Sequence, residues 1–87
     1  MNKKHRKTLA DIFTNPVPAD IPWTDIIKLL IALDATITQG KGSRVRVFLN
    51  DRKAVFHEPH PERETDKGAI KSVRDFLINA GITPGEQ

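Results

Sequence analysis

The stretch RVRVFLNDRKAVFH, residues 44–57, constrains this chain more than any other. Its first half alternates without interruption, with Val45, Val47 and Leu49 on one side and Arg44, Arg46 and Phe48 on the other. Period-two alternation is the pattern of a half-buried strand. Asn50-Asp51 follows, a pair suited to a two-residue hairpin turn because both types tolerate left-handed backbone. Arg52 to His57 then returns as a second strand. A two-residue loop pairs odd positions of one strand with even positions of the other on a shared face. Val45, Val47 and Leu49 therefore side with Ala54 and Phe56 as the core face. Arg44, Arg46 and Phe48 side with Lys53, Val55 and His57 on the opposite one. The inference depends on that loop length, since a three-residue loop would flip one strand.

Around the hairpin the chain reads as an α+β domain in the order α-α-β-β-β-α. Residues 4–14 have weak helical character, with Leu9, Ile12 and Phe13 as the apolar edge. The segment NPVPADIP, with three prolines, ends that helix as a stiff connector. A clearer helix runs from Pro22 to about Ala35, and Ile26, Ile27, Leu30 and Leu33 form its apolar stripe. Trp23 reads as core rather than as a ligand-stacking group. Ala35–Gln39 has the β-branched content of a short strand, and Gly40-Lys41-Gly42 makes a turn. The last helix, Asp66 to Ala80, is capped by Thr65 or Asp66 and stopped by Gly81. Its core stripe is Ile70, Val73, Phe76, Leu77 and Ala80. The expected architecture is a three-stranded antiparallel sheet with helices on one face. Residues 1–21 form a basic arm or short helix with its Pro-rich linker, 22–83 the domain, and 84–87 a tail.

At 87 residues, this length suits one domain with one small core. Four of the fourteen lysines and arginines sit in the first seven residues, and the remaining ten face eleven acids. The body is thus close to neutral, and any nucleic-acid site must be local. The basic amino terminus reads equally as a solvated arm or as a polyanion contact. No cysteine is present, which removes disulfides and thiolate metal sites. The longest apolar run, Ile26 to Leu33, is interrupted by Lys28 and too short to span a bilayer. These features point to a soluble, cytoplasmic protein with no membrane partner.

Three groups carry candidate chemistry. Arg44, Arg46 and His57 share the outer hairpin face. Arginine offers fork-shaped donors for phosphate, and histidine is the side chain that exchanges protons near neutral pH. Together they could hold an RNA backbone and activate its 2′-hydroxyl; a solvated charged face is the plainer alternative. The second group is HEPHPE, residues 57–62. Its prolines send the two imidazoles apart and no further ligand cluster exists, so no metal is expected and His60 reads as a loop residue of unclear role. The third is Lys67, Lys71 and Arg74, aligned at i, i+4 and i+7 on the last helix as candidate phosphate contacts. Double-stranded RNA-binding domains place a basic helix start against phosphates in this way. GKGS at 40–43 leads into a strand, not a helix, and is no nucleotide-binding loop.

Gly42-Ser43 opening a strand, HEPHP at 57–61, and Lys67-Gly68, Lys71-Ser72 and Ala80-Gly81 in the last helix occur in the order and spacing of a known family. Over residues 22–83 the chain resembles the HicA toxins of toxin–antitoxin systems. The resemblance implies a double-stranded-RNA-binding-like fold and metal-independent endoribonuclease activity, as an mRNA interferase that inhibits translation. No cofactor is implied. It also implies a HicB-like antitoxin that covers the active face. Family members carry a catalytic histidine one or two positions after Gly-Ser, where this chain has Arg44 and Val45. Only Gly42-Ser43 and His60-Pro61 carry over directly. His57, beside Arg44 and Arg46, is then the candidate for the catalytic imidazole. The alternative is a module that binds RNA or an antitoxin without cleaving. In a purely protein-binding reading, Phe48 and Val55 are the apolar partner contacts.

Overall fold

The computed structural model describes residues 1–59 and 63–84. The elements are α1 (Lys3–Ile12), α2 (Trp23–Ala32), β1 (Thr36–Gln39), β2 (Arg44–Leu49), β3 (Arg52–His57) and α3 (Lys67–Asn79). This is the α+β order expected, with the antiparallel sheet running β1-β2-β3. Val45, Val47, Leu49 and Phe56 are buried on the sheet's inner face, against Leu29 and Leu30 of α2 and Ile70, Val73 and Leu77 of α3 in one core. Each such side chain contributes about 1.5–3 kcal/mol of hydrophobic stabilisation. Trp23 is core: it packs edge-on to Phe56, which packs edge-on to Phe76, with centroids 6.3 and 5.8 Å apart.

Helix ends follow local chemistry. Asn2 caps α1 by accepting from the His5 amide, and Asp66 caps α3 by accepting from the Ala69 amide. α2 stops at Ala32, short of the expected Ala35, because Asp34 turns left-handed at φ 71°. There the Asp34 amide donates to the Ile31 carbonyl and the Ala35 amide to that of Leu30. Gly81 repeats the arrangement after α3, with φ 81° and the Ile82 amide donating to the Leu77 carbonyl. Such closures satisfy carbonyls that the helix leaves unpaired.

The amino-terminal segment is built into the domain. Leu9 and Ile12 of α1, with Val17 and Ile21 of the connector, are buried in the same core as the sheet. Thr65 donates its amide to the Ile21 carbonyl, and Trp23 donates to that of Arg63, so the connector also pairs with the chain entering α3. Two of the four amino-terminal cations are occupied, Lys4 with Asp25 at 3.6 Å and Lys7 with Asp11 at 2.8 Å. The hydrogen bond and charge of Asp11 raise the Lys7 ammonium above its ordinary range.

Candidate nucleic-acid interface

The turn that sets the hairpin has the geometry its residues favour. Asn50 and Asp51 both adopt positive φ, 49° and 66°, which matches the twist of the flanking strands. Leu49 and Arg52 are therefore opposite, and the register continues through Phe48–Lys53, Val47–Ala54, Arg46–Val55, Val45–Phe56 and Arg44–His57. The Asn50 side-chain amide also donates to the Ala80 carbonyl at 2.9 Å, tying the hairpin tip to the end of α3.

In a two-residue hairpin the pair flanking the turn exchanges hydrogen bonds, and the pairs alternate from there. Phe48–Lys53, Arg46–Val55 and Arg44–His57 are then the non-hydrogen-bonded pairs, whose Cα atoms approach to about 4.5 Å. The Glu58 amide donates to the Ser43 carbonyl at 2.8 Å, as that phase requires just beyond Arg44–His57. All six side chains are exposed on the outer face. β1 extends each rung: Thr36 lies beside Phe48 and Thr38 beside Arg46. Gly40 continues this line, where a Cβ would stand 3.2 Å from the Arg44 Cβ, so glycine lets the loop pass close to the arginine.

The outer face thus carries Arg44, Arg46, Lys53 and His57, two threonines, and the apolar Phe48 and Val55. Its eight strand residues include no acid, although the whole chain has eleven. A face of one sign attracts a polyanion, which a near-neutral body does not. Phe48 and Val55 are 46% and 55% exposed, enough to contact a partner while still anchored in the sheet.

His57 lies at the free end of β3, beside a groove shared with Asp66, Gly68, Ala69 and Ser72 of the α3 start. Asp66 is committed to its cap through Oδ1, and the ion pairs among the described residues are the two made by α1. The basic row on α3 stands apart from this group. Gly68 and Ser72 occupy the flank of α3 toward β3, whereas Arg74 reaches the other way to α1. Lys67 and Lys71 lie on the Arg74 flank by helical spacing and are exposed. Arg74 itself is engaged: Nε donates to the Ile12 carbonyl, Nη2 to that of Thr14, and Nη1 to Asn15 Oδ1.

His60, with Pro61 and Glu62, lies outside the described residues. Among the described residues no three His, Cys, Asp or Glu side chains converge into a metal-ligand set, and no helix is long and apolar enough to cross a membrane. A larger cleft, about 600 Å³, lies between Trp23 and the chain at Glu58, Pro59, Arg63 and Glu64, and its described lining holds two acids and one base. Lys53, Thr36 and Thr38 complete the outer face although none stood among the candidate residues. The hairpin register alone places Lys53 there, whereas the threonines needed the pairing of β1.

The site is a cationic, acid-free sheet face on a small α+β scaffold. The family model for the HicA toxin of bacterial toxin–antitoxin systems matches residues 23–82, more than half of the chain, and the chain belongs to that family. Membership gives it a toxin role and an antitoxin partner. No curated protein and no solved structure matches it.

Proposed function

We propose that this toxin is a metal-independent endoribonuclease whose active group is His57, supported by Arg44 and Arg46. The observation that carries the reading is the Arg44–His57 pairing, with Arg46 one rung along on the same exposed face. His57 as general base takes the proton of a ribose 2′-hydroxyl. The 2′-oxygen attacks the adjacent phosphorus, the P–O5′ bond breaks, and the leaving 5′-oxygen takes a proton from the imidazolium or from water. The products are a 2′,3′-cyclic phosphate and a 5′-hydroxyl. Arg44 and Arg46 donate to the non-bridging oxygens, where charge grows in the transition state. Lys67 and Lys71 offer further phosphate contacts on α3, while Arg74 serves the fold. A HicB-like antitoxin silences the toxin by covering the outer face, with Phe48 and Val55 as apolar contacts. An RNA substrate places the action in the cytoplasm, through cleavage of mRNA and arrest of translation.

The test is cleavage of a labelled RNA in a chelating buffer, comparing the wild type with His57→Ala. The expected result is cyclic-phosphate products from the wild type and a rate at least about a hundredfold lower in the variant, with RNA affinity retained. Equal rates would remove His57 from the mechanism. A second reading, noncatalytic RNA or antitoxin binding, is favoured by one observation: Arg44 and Val45 stand where family members carry histidine. Salt-sensitive binding by the wild type without products would establish it.

A further inference from the structure

The outer face contains a recess that shares Arg46 with the proposed cleavage site and extends beyond it to Phe48, Lys53 and Val55. It measures about 480 Å³ and is lined by Arg46, Phe48, Lys53, Ala54 and Val55, at the free edge of β3. Sites that hold small ligands measure roughly 300–1,000 Å³, so the recess has room for a nucleobase. Its walls combine an aromatic ring, an aliphatic side chain and two cations, with no acid.

The strand pairing adds a second feature. Lys53 and Val55 belong to non-hydrogen-bonded pairs, so their main-chain N–H and C=O groups point away from β2 along the free edge. None of these groups has a main-chain partner outside the strand among the described residues. The recess thus offers a stacking surface in Phe48 and, in the adjoining backbone, donors and acceptors without a main-chain partner among the described residues. Bases on single strands are bound by this combination of aromatic stacking and hydrogen bonds to exposed base edges.

Spacing relates the recess to the cleavage site. Residues two apart on a strand are about 6.6–6.8 Å apart, so Arg44, Arg46 and Phe48 are three positions separated by two such steps. An extended single strand running along β2 with its scissile phosphate between Arg44 and Arg46 would bring a neighbouring base over Phe48, one step beyond Arg46. A duplex keeps its bases stacked inside and offers none to the ring.

We infer that the Phe48–Val55 recess is a nucleobase subsite, which makes the substrate of the His57 face single-stranded RNA with an unpaired base held beside the scissile phosphate. This rests on the proposed RNA-cleaving function and adds the substrate class and the residues that select it.

The experiment measures binding of fluorescently labelled single-stranded RNA to the full chain by anisotropy. The probes are one parent oligonucleotide and a set with a single abasic site moved along it. A His57→Ala background prevents cleavage. One abasic position is expected to weaken binding about five- to a hundredfold, the range for loss of one stacked base. Phe48→Leu is expected to weaken the parent to the same degree and to be indifferent to the abasic site at that position. Its dependence on salt should stay that of the background protein, because no phosphate contact is lost. A flat abasic profile, or Phe48→Leu binding as tightly as the background, overturns the subsite while leaving RNA binding intact. So does a Phe48→Leu variant that loses affinity only for the antitoxin, which would make the recess a protein contact. No binding of any oligonucleotide overturns the cleavage reading and the subsite together.

Discussion

Replacing Arg74 separates a structural role from a nucleic-acid role. The guanidinium spans three acceptors at the end of α1, at 2.8 Å to Ile12 O, 2.9 Å to Thr14 O and 3.2 Å to Asn15 Oδ1. The first of these is partly buried and the other two are exposed. A hydrogen bond from a charged donor contributes about 1.5–3 kcal/mol in a shielded site. Solvent reduces exposed ones to a few tenths. Arg74→Gln should therefore lower stability by about 2 kcal/mol, read as the free energy of urea unfolding. For a domain of this size that corresponds to a fall in Tm of roughly 8–16 °C. Arg74→Lys should recover little of it, because one ammonium cannot span three acceptors in a fixed plane. RNA affinity below the melting range should keep the salt dependence of the wild type. An unchanged Tm with a salt slope reduced by about one would refute the structural assignment and return Arg74 to the phosphate contacts.

Two further substitutions probe how the parts are joined. Ile12 is fully buried at the foot of α1, so Ile12→Ala should cost about 2–5 kcal/mol in urea unfolding, as large-to-small core changes do. A loss under about 0.5 kcal/mol, the range of surface substitutions, would mean that α1 adds nothing to the domain. Asn50→Ala should cost about 2 kcal/mol, combining left-handed strain with the lost bond to Ala80 O. Asn50→Gly relieves the strain but not the lost bond and should cost about half as much. Equal losses in calorimetry would assign the whole effect to the link with α3.

The hairpin was legible because its turn has one favourable solution. Two residues that tolerate positive φ favour a two-residue loop over a three-residue one, and that length fixes which side chains share a face. Arg44, Arg46 and His57 follow directly. β1 was harder to place: the loop at 40–43 contains two glycines and does not dictate a register, so Thr36 and Thr38 could not be set beside the hairpin. The burial of α1 was hidden for a different reason. Its apolar edge is short and flanked by lysines, a pattern that suits a solvated arm as well as a packed helix. Arg74 shows the limit of helical spacing. An i, i+7 row establishes which residues share a flank, but α1 decides what that flank meets, and its Ile12 is 62 residues away in sequence.

Residues 36–57 contain every group on the cationic face, yet the other face of that sheet is apolar and must be covered by helices. The core beneath is closed by Ile70, Val73, Phe76 and Leu77, and α3 also anchors both the hairpin tip and α1. During synthesis the hairpin precedes α3, so the charged residues emerge well before the scaffold that aligns them. A ribosome carrying this toxin half made would hold the residues of the cationic face without the face itself. The cationic face is complete only once the last helix has docked.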